Sequence, residues 1–475
     1  MKSLALSVRR GIIALLLAAL FVASDAVNAQ RQPSAASASR NAATKFDASR
    51  LAEMDAAIEQ AIAENKCPGG VLWLEHNGSV YTRAFGNRSL VPQQEPMTAD
   101  TIFDAASLTK VCATTPAIMI LVERGQVDLD APVAKYIPEF ARNGKEAVTI
   151  RHLMTHTSGL RPGIGSTPSW SGYEGAIRRG CDESLRTTPG TQFVYSDINY
   201  FMLGEVVRRV SGQPLNEFVA REIYGPLKMR DTGFLPPGEK ISRIAPTEFD
   251  AEKKMLRGIV HDPTARKMGG VAGHAGLFTT AADLARYARM LLNLGELDGV
   301  RIMKPETVKL MTSVQTADAV DARRGLGWDI DSSYSGPRGK HFPIGSFGHT
   351  GWTGTSIWVD PFSRTFILFL SNRNHPDGKG NVVGLRSVLG TLAAEAVTDF
   401  DFSRTPPGAL QPRVKRSEPK MVLNGIDVLV REHFIRLRGR KIGLITNHSG
   451  QHRDRNSLID LLHNAPGVEL KALFA

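Results

Sequence analysis

The chain has 475 residues, 42% hydrophobic and 22% charged, with 44 Gly and 26 Pro. Those proportions exclude collagen-like, coiled-coil and wholly disordered classes, and the length exceeds what one core usually organises, so one large domain plus further segments is expected. The formal charge of +11 invites a nucleic-acid or membrane reading, which depends on where the charge lies.

The first residues carry Lys2, Arg9 and Arg10, an apolar run from Gly11 to Ala23, and the small-residue stretch Val27-Asn28-Ala29. This is the pattern of a secretory signal peptide over residues 1–29, cleaved after Ala29. The run is shorter than the roughly 20 apolar residues a spanning helix needs. Its removal takes away Lys2, Arg9, Arg10 and Asp25 and leaves +9. No later stretch is apolar enough to cross a bilayer, so the mature chain is expected to be periplasmic or secreted, without an integral membrane segment. Cys67, Cys112 and Cys181 allow at most one disulfide, lack metal-ligand spacing, and read as small buried hydrophobes.

Residues 30–44 are small, polar and Ser/Ala-rich, as in a flexible leader. Over 47–64, Leu51, Met54, Ile58 and Ile62 recur at helical spacing. Strand-like runs at 70–75 and 79–85 flank His76-Asn77-Gly78, a hairpin signal. Helices are predicted over 108–124, 199–210 and 281–294, a second strand pair over 355–359 and 365–371, and a last helix over 383–397. The arrangement predicts an α+β domain over 45–400. Its terminal elements share one antiparallel sheet flanked by helices, around a large, mostly helical insertion. Residues 401–420, with Pro406, Pro407, Pro412 and Pro419, read as a linker. Residues 421–475 open a partial α/β segment: a strand at 441–446, a helix at 456–464 and a strand at 468–474. Such a unit cannot cover both faces of a parallel sheet by itself.

Ser107-Leu-Thr-Lys110 places S-x-x-K at a helix start. That spacing puts hydroxyl and amine on one face, and a serine nucleophile needs such a partner. The motif alone is weak: Ser417 to Lys420 matches it inside the linker, and Ser107 by itself is equally an ordinary helix-start serine. Two further stretches follow in order, Tyr195-Ser196-Asp197 and His349-Thr350-Gly351-Trp352. Together the three resemble the serine β-lactamase and penicillin-binding-protein superfamily. The likeness is to the branch of class C β-lactamases, D-alanyl-D-alanine carboxypeptidases and family VIII esterases. Leu153 to Leu160, Gly273 to Phe278 with Asp283, and Gly327-Trp328 are similar to the same family.

The resemblance implies a β-lactamase/transpeptidase-like fold and an acyl-enzyme on Ser107, with Lys110 as its proton partner and Tyr195 as base or proton shuttle. It places Asp197, His349, Thr350, Gly351 and Trp352 at the substrate and oxyanion side, the amides of Ser107 and Trp352 forming the oxyanion hole. No metal and no cofactor is implied. Two departures stand out. Asp197 replaces the usual Asn and can hold Lys110 charged; His349 replaces the usual Lys and weakens the fixed positive charge offered to a substrate carboxylate. A peptidase, amidase or esterase is therefore favoured over an efficient β-lactamase.

His152 and His156 flank a turn and do not read as a metal pair, while His261-Asp262 with His274 could bind a metal or orient a loop and reads first as structural hydrogen bonding. Arg208-Arg209, Arg323-Arg324 and the basic run 413–416 read as solvated surface, since no aromatic residues interleave with them. No nucleic-acid partner is expected; an anionic cell wall is the natural one. The tail, with Val422 to Leu429, Gly439 to Asn447 and Val468 to Phe474, resembles the beginning of an exo-β-N-acetylmuramidase module, which implies a peptidoglycan context. The readings left open are a hydrolase of peptidoglycan-derived peptides, amides or esters, a promiscuous carboxylesterase or weak β-lactamase, and a non-catalytic wall-binding module.

Overall fold

The computed structural model describes residues 45–413, 425–446, 451–452 and 456–474. The expected signal peptide and leader, and the end of the expected linker, lie outside the described residues. The chain divides into two compact units, one ending at Ala409 and the other running from Leu410 to Ala475. Among the described residues no helix is long and apolar enough to cross a membrane.

The larger unit is built on one antiparallel sheet. Its strands are β1 (Gly69–His76), β2 (Ser79–Ser89), β3 (Glu95–Pro96), β4 (Arg323–Arg324), β5 (Asp329–Asp331), β6 (Phe347–Thr350), β7 (Ser356–Asp360) and β8 (Thr365–Leu370). They lie in the order β3-β2-β1-β8-β7-β6-β5-β4. The β1–β2 hairpin turns through Asn77 and Gly78, both at positive φ (47° and 80°), as a tight two-residue turn requires. β1 pairs with β8 from Val71↔Leu370 to His76↔Thr365, so the two ends of the unit meet in mid-sheet, as the sequence predicts.

Alternate side chains of β1 serve opposite faces. Leu72 and Leu74, with Trp358, Ile367 and Phe369, pack with Met54 and Ile58 of α1 (Ala48–Ala63) and with Leu389 and Ala393 of the C-terminal helix Val383–Ala396. On the other side Glu75 takes the Arg289 guanidinium at 2.7 Å, which also lies 5.7 Å from the Trp73 ring centre.

The insertion between β3 and β4 carries α2 (Thr115–Glu123), α3 (Asp197–Ser211) and α4 (Ala281–Leu292), the last bearing Arg289; the C-terminal helix is α5. The short strand Phe103–Asp104 pairs with Leu277–Thr279, which brings the segment ahead of Ser107 against the segment after His274.

One element departs from expectation. The predicted regular helix over 108–124 is a turn, then a π-helical stretch Lys110–Thr114, then α2. Pro116 is the cause: it has no amide to donate and its ring crowds the preceding turn. The carbonyls this leaves open are filled from outside, Val111 by the Tyr287 hydroxyl at 2.8 Å and Cys112 by that of Tyr224 at 3.1 Å. All three cysteines are buried and free, and burial pushes the Cys67 and Cys181 thiols up to about 11.

In the smaller unit, α6 (Gly425–Arg431), β9 (Arg440–Ile445), α7 (Leu458–His463) and β10 (Val468–Phe474) follow in order, and β9 pairs with β10 in parallel. Phe434, Leu462 and Ala465 form its small core. Ile445, Leu473 and Phe474 remain exposed, since two strands and two short helices leave apolar sheet surface uncovered.

Candidate active site

Ser107 follows Ala106, whose φ of 46° lies in the left-handed region that a Cβ-bearing residue rarely occupies. Its surroundings hold that conformation. The Ala106 amide donates to Asp104 Oδ1 at 2.8 Å, and Asp104 Oδ2 takes the His261 amide at 2.7 Å. Burial pushes this carboxyl above its ordinary value. The hydroxyl of Thr353 donates to the Asp104 carbonyl at 2.7 Å, and that of Thr355 to the Ala105 carbonyl at 3.0 Å. The Ser107 loop is thereby tied to the β6–β7 connection.

Gly351 sits where these loops touch: a Cβ there would lie 2.2 Å from Thr355 Oγ1 and 2.6 Å from the Ala105 oxygen. Gly351→Ala is therefore expected to cost about 1–3 kcal/mol of stability and to slow acylation of Ser107 at least tenfold. Calorimetry and active-site labelling check this; an unaltered labelling rate would show that the two loops separate without consequence.

Lys110 is fully buried, and its ammonium has three acceptors: Ser107 Oγ at 3.0 Å, the His274 carbonyl at 3.0 Å and Asp197 Oδ1 at 2.7 Å. Burial works against the charge, but the Asp197 carboxylate and the Tyr195 oxygen outweigh it and hold the ammonium above the usual lysine range. Lys110 is a fixed cation here. Asp197, expected on the substrate side, turns Oδ1 to this lysine from the first turn of α3.

Tyr195 stacks between His156 (ring centres 4.4 Å apart, 28° between planes) and Tyr334 (5.5 Å, 27°), with Lys110 Nζ 5.0 Å from its ring centre. His156 Nδ1 accepts the Ser196 amide at 3.1 Å. Burial, with Arg324 and Lys110 adding positive charge, holds it well below the ordinary histidine value, so the ring is neutral. Its place in Leu153 to Leu160 explains what that motif does: it builds the wall behind Tyr195.

His349 Nδ1 lies 2.8 Å from the Thr350 carbonyl, which can only accept, so Nδ1 carries the proton. Burial first, then the charges of Arg324 and Lys110, keep this ring well below its ordinary value too. β6 thus brings a neutral imidazole to the site. The amides of Ser107 and Trp352 donate to no protein acceptor among the described residues.

A cleft of about 360 Å³ opens over Ser107, Tyr195, His349, Thr350, Gly351 and Trp352, with Lys110 and Asp197 behind it. Trp352 is 65% exposed at its mouth. Three arginines also line it, and sequence reasoning missed their place in the site. Arg324, expected on the solvated surface, is 1% exposed, because Asp329 (3.0 Å) and the Gly327 carbonyl (3.0 Å) draw its guanidinium inward. Arg386 donates to the carbonyls of Gly351 (2.7 Å) and Thr355 (2.8 Å), and burial pulls it down to about 10. Arg373 donates to the Trp352 carbonyl at 2.6 Å and lies over that ring. The available signal was Arg386 itself, a cation between the apolar positions Leu385 and Leu389.

Asp197, Asp262 and His274 place their ligand atoms within 4.8 Å of one another, close enough to share one cation. The cation held beside them is the Lys110 ammonium.

A serine hydroxyl held by a buried lysine, with a tyrosine alongside and two free amides at the cleft, is an arrangement suited to a serine hydrolase. The chain belongs to the beta-lactamase family, whose model matches residues 54–388. It is 33% identical over 396 residues to an Escherichia coli (strain K12) protein carrying the provisional name D-alanyl-D-alanine carboxypeptidase, covering 75% of this chain and 89% of the relative. It is also 33% identical over 368 residues to the Bacillus subtilis (strain 168) N-acetylmuramyl-L-alanine amidase, covering 70% and 82%. Among solved structures, a penicillin-binding protein homologue from Caulobacter crescentus shares the fold with a TM-score of 0.60 at 23% identity, over 73% of this chain and 97% of that one. The hydrolase EstCE1 does so with a TM-score of 0.58 at 23% identity, over 72% and 98%.

Proposed function

We propose that the protein is an exported serine hydrolase that forms an acyl-enzyme on Ser107 and acts on peptidoglycan-related peptides, amides or esters. The observation that carries this reading is the three-point hold on Lys110, which fixes its ammonium against Ser107 Oγ. With the lysine charged, Tyr195 reacts as its phenolate, whose oxygen takes the serine proton as Oγ adds to the substrate carbonyl carbon. The oxyanion that forms is received by the amides of Ser107 and Trp352, each worth roughly 3–4 kcal/mol in such sites. The carbon–nitrogen or carbon–oxygen bond then breaks, and the leaving group takes the proton from Tyr195. Water repeats the sequence in reverse and frees Ser107.

With Arg324 balanced by Asp329, the cationic lining from Arg373 and Arg386 favours an acyl donor bearing a carboxylate, as a peptide ending in a free carboxyl does. The names of the carboxypeptidase and amidase relatives support the same substrate class. The neutral His349 supports a second reading, a promiscuous carboxylesterase, over a β-lactamase. Export rests on residues 1–29 and suits a mature charge of +9 beside an anionic wall. The parallel β9–α7–β10 unit supports reading residues 421–475 as the opening of a muramidase-like module.

Labelling with a fluorophosphonate and with a fluorescent penicillin is expected to mark the parent protein and to vanish in Ser107→Ala. Equal labelling of both would overturn the assignment. Mass spectrometry of muropeptide digests, with C-terminally amidated peptides as controls, is expected to show cleavage only of the free acids; ester turnover alone would favour the carboxylesterase.

A further inference from the structure

Behind Lys110 lies an imidazole–carboxylate pair that the steps above leave unused. His274 is 1% exposed. Its Nε2 stands 3.0 Å from Asp262 Oδ1, and its Nδ1 is buried without a partner. Its backbone carbonyl is one of the three acceptors of the Lys110 ammonium. Where that carbonyl points therefore depends on how the residue is held.

Several contacts hold it from every side. Gly273 abuts α3: a Cβ there would lie 2.0 Å from the Tyr200 oxygen. The Gly273 carbonyl takes the Thr114 hydroxyl at 2.6 Å, and the His274 ring meets Phe201 edge-on at 5.9 Å. Asp262 is anchored too, since the same Oδ1 accepts the Ala265 amide at 2.7 Å and caps the short helix Pro263–Lys267. Burial opposes its charge, but His274, the Ala265 amide and Lys110 keep this carboxyl well below the ordinary range. The preceding residue, His261, gives its amide to Asp104, which holds the residue before Ser107. Two adjacent residues thus secure both the nucleophile loop and the lysine.

Charge bookkeeping gives the pair its purpose. Asp197 and Asp262 bring carboxylate oxygens within 4.8 Å of one another; Asp197 is paired with the Lys110 ammonium, and Asp262 feels the same charge. An imidazole N–H committed to Asp262 keeps the second carboxylate occupied, so the lysine stays on Asp197 and on Ser107.

We propose that Asp262 and His274 form a positioning dyad that keeps the Lys110 ammonium aimed at Ser107 Oγ. The inference rests on the reading of Ser107 as nucleophile. Both residues act through Lys110.

The test uses turnover of p-nitrophenyl acetate by the full chain, counted per Ser107 titrated with a fluorophosphonate. His274→Leu removes the ring and leaves the helix cap; Asp262→Asn leaves the ring and the buried volume, and carries the test independently of whether His274→Leu folds. Each is expected to lower kcat at least tenfold with KM changed less than twofold. His274→Gln, whose amide nitrogen can donate to Asp262, is expected to recover most of that loss. Parental kcat in both Asp262→Asn and His274→Leu overturns the dyad. So does a loss confined to thermal midpoint and to the fraction of titratable sites, or an equal loss of kcat in His274→Gln and His274→Leu. Failure of the underlying hydrolase reading is distinguishable, because Ser107→Ala would then turn over the ester as the parent does.

Discussion

Replacing Lys110 by methionine is expected to slow acylation of Ser107 about 10³-fold, within the range such proton-handling groups contribute, while the protein stays folded. Methionine fills nearly the same buried volume, so packing is retained. What disappears is the cation between Ser107 Oγ and Asp197. Asp197 then loses its partner, but its side chain is 35% exposed and water can solvate it, which limits the cost in stability. Asp197→Asn separates charge from geometry. It keeps an acceptor on Nζ but removes the first of the influences that hold the ammonium charged against burial. The lysine then gives up its proton more readily, and the alkaline limb of the pH–rate profile moves toward neutrality. Stopped-flow labelling checks both variants. Lys110→Met acylating at the parental rate would show that Tyr195 works without the cation. An unmoved alkaline limb in Asp197→Asn would show that another group sets it.

Acidification from pH 7 to pH 5 is expected to destabilise the folded protein. His156 and His349 are held well below the ordinary value by burial and then by nearby cations, and burial pushes His375 down to about 4. His76 and His152 are lowered in the same sense, again chiefly by burial. As pH falls through roughly 6.5 the unfolded chain takes up protons that the folded chain refuses. Stability present above that value is then lost, at about 1.4 kcal/mol per pH unit for each such group. Three buried carboxyls oppose this. Burial raises Asp360 to about 6 and raises Asp104 and Asp283 as well, so all three are protonated earlier in the folded state and favour it on acidification. Three groups do not offset five. The urea midpoint is expected to fall between pH 7 and pH 5, with His349→Gln reducing the slope. A flat or rising midpoint would mean that these rings reach solvent.

The elements most legible in the sequence are those written in local patterns. Asn77-Gly78 marks a turn because few residues tolerate positive φ, and the first hairpin and the closing strands lie where their short apolar runs predict. S-x-x-K, Tyr195 and His349-Thr350-Gly351 are legible because the spacing within each motif is set by one helix turn or one strand end. The π-helical stretch at Lys110–Thr114 was visible only in hindsight through Pro116. Helical periodicity over 108–124 masks a missing amide, and the tyrosine hydroxyls that compensate for it come from residues more than a hundred positions away.

By itself the sequence determined the family-bearing motifs, the antiparallel core with its inserted helices, and which residue types were available for acyl transfer. Only the tertiary structure decided their charges and partners. It sets Asp197 on Lys110 and leaves His349 neutral. It draws Arg324 in from the expected surface and sets Asp262 and His274 behind the lysine. The physical reason is that a charge state depends on burial and on neighbours a few ångströms away in space, here drawn from segments as distant as Ser107, Asp197, His274 and Arg386. No spacing along the chain carries that information.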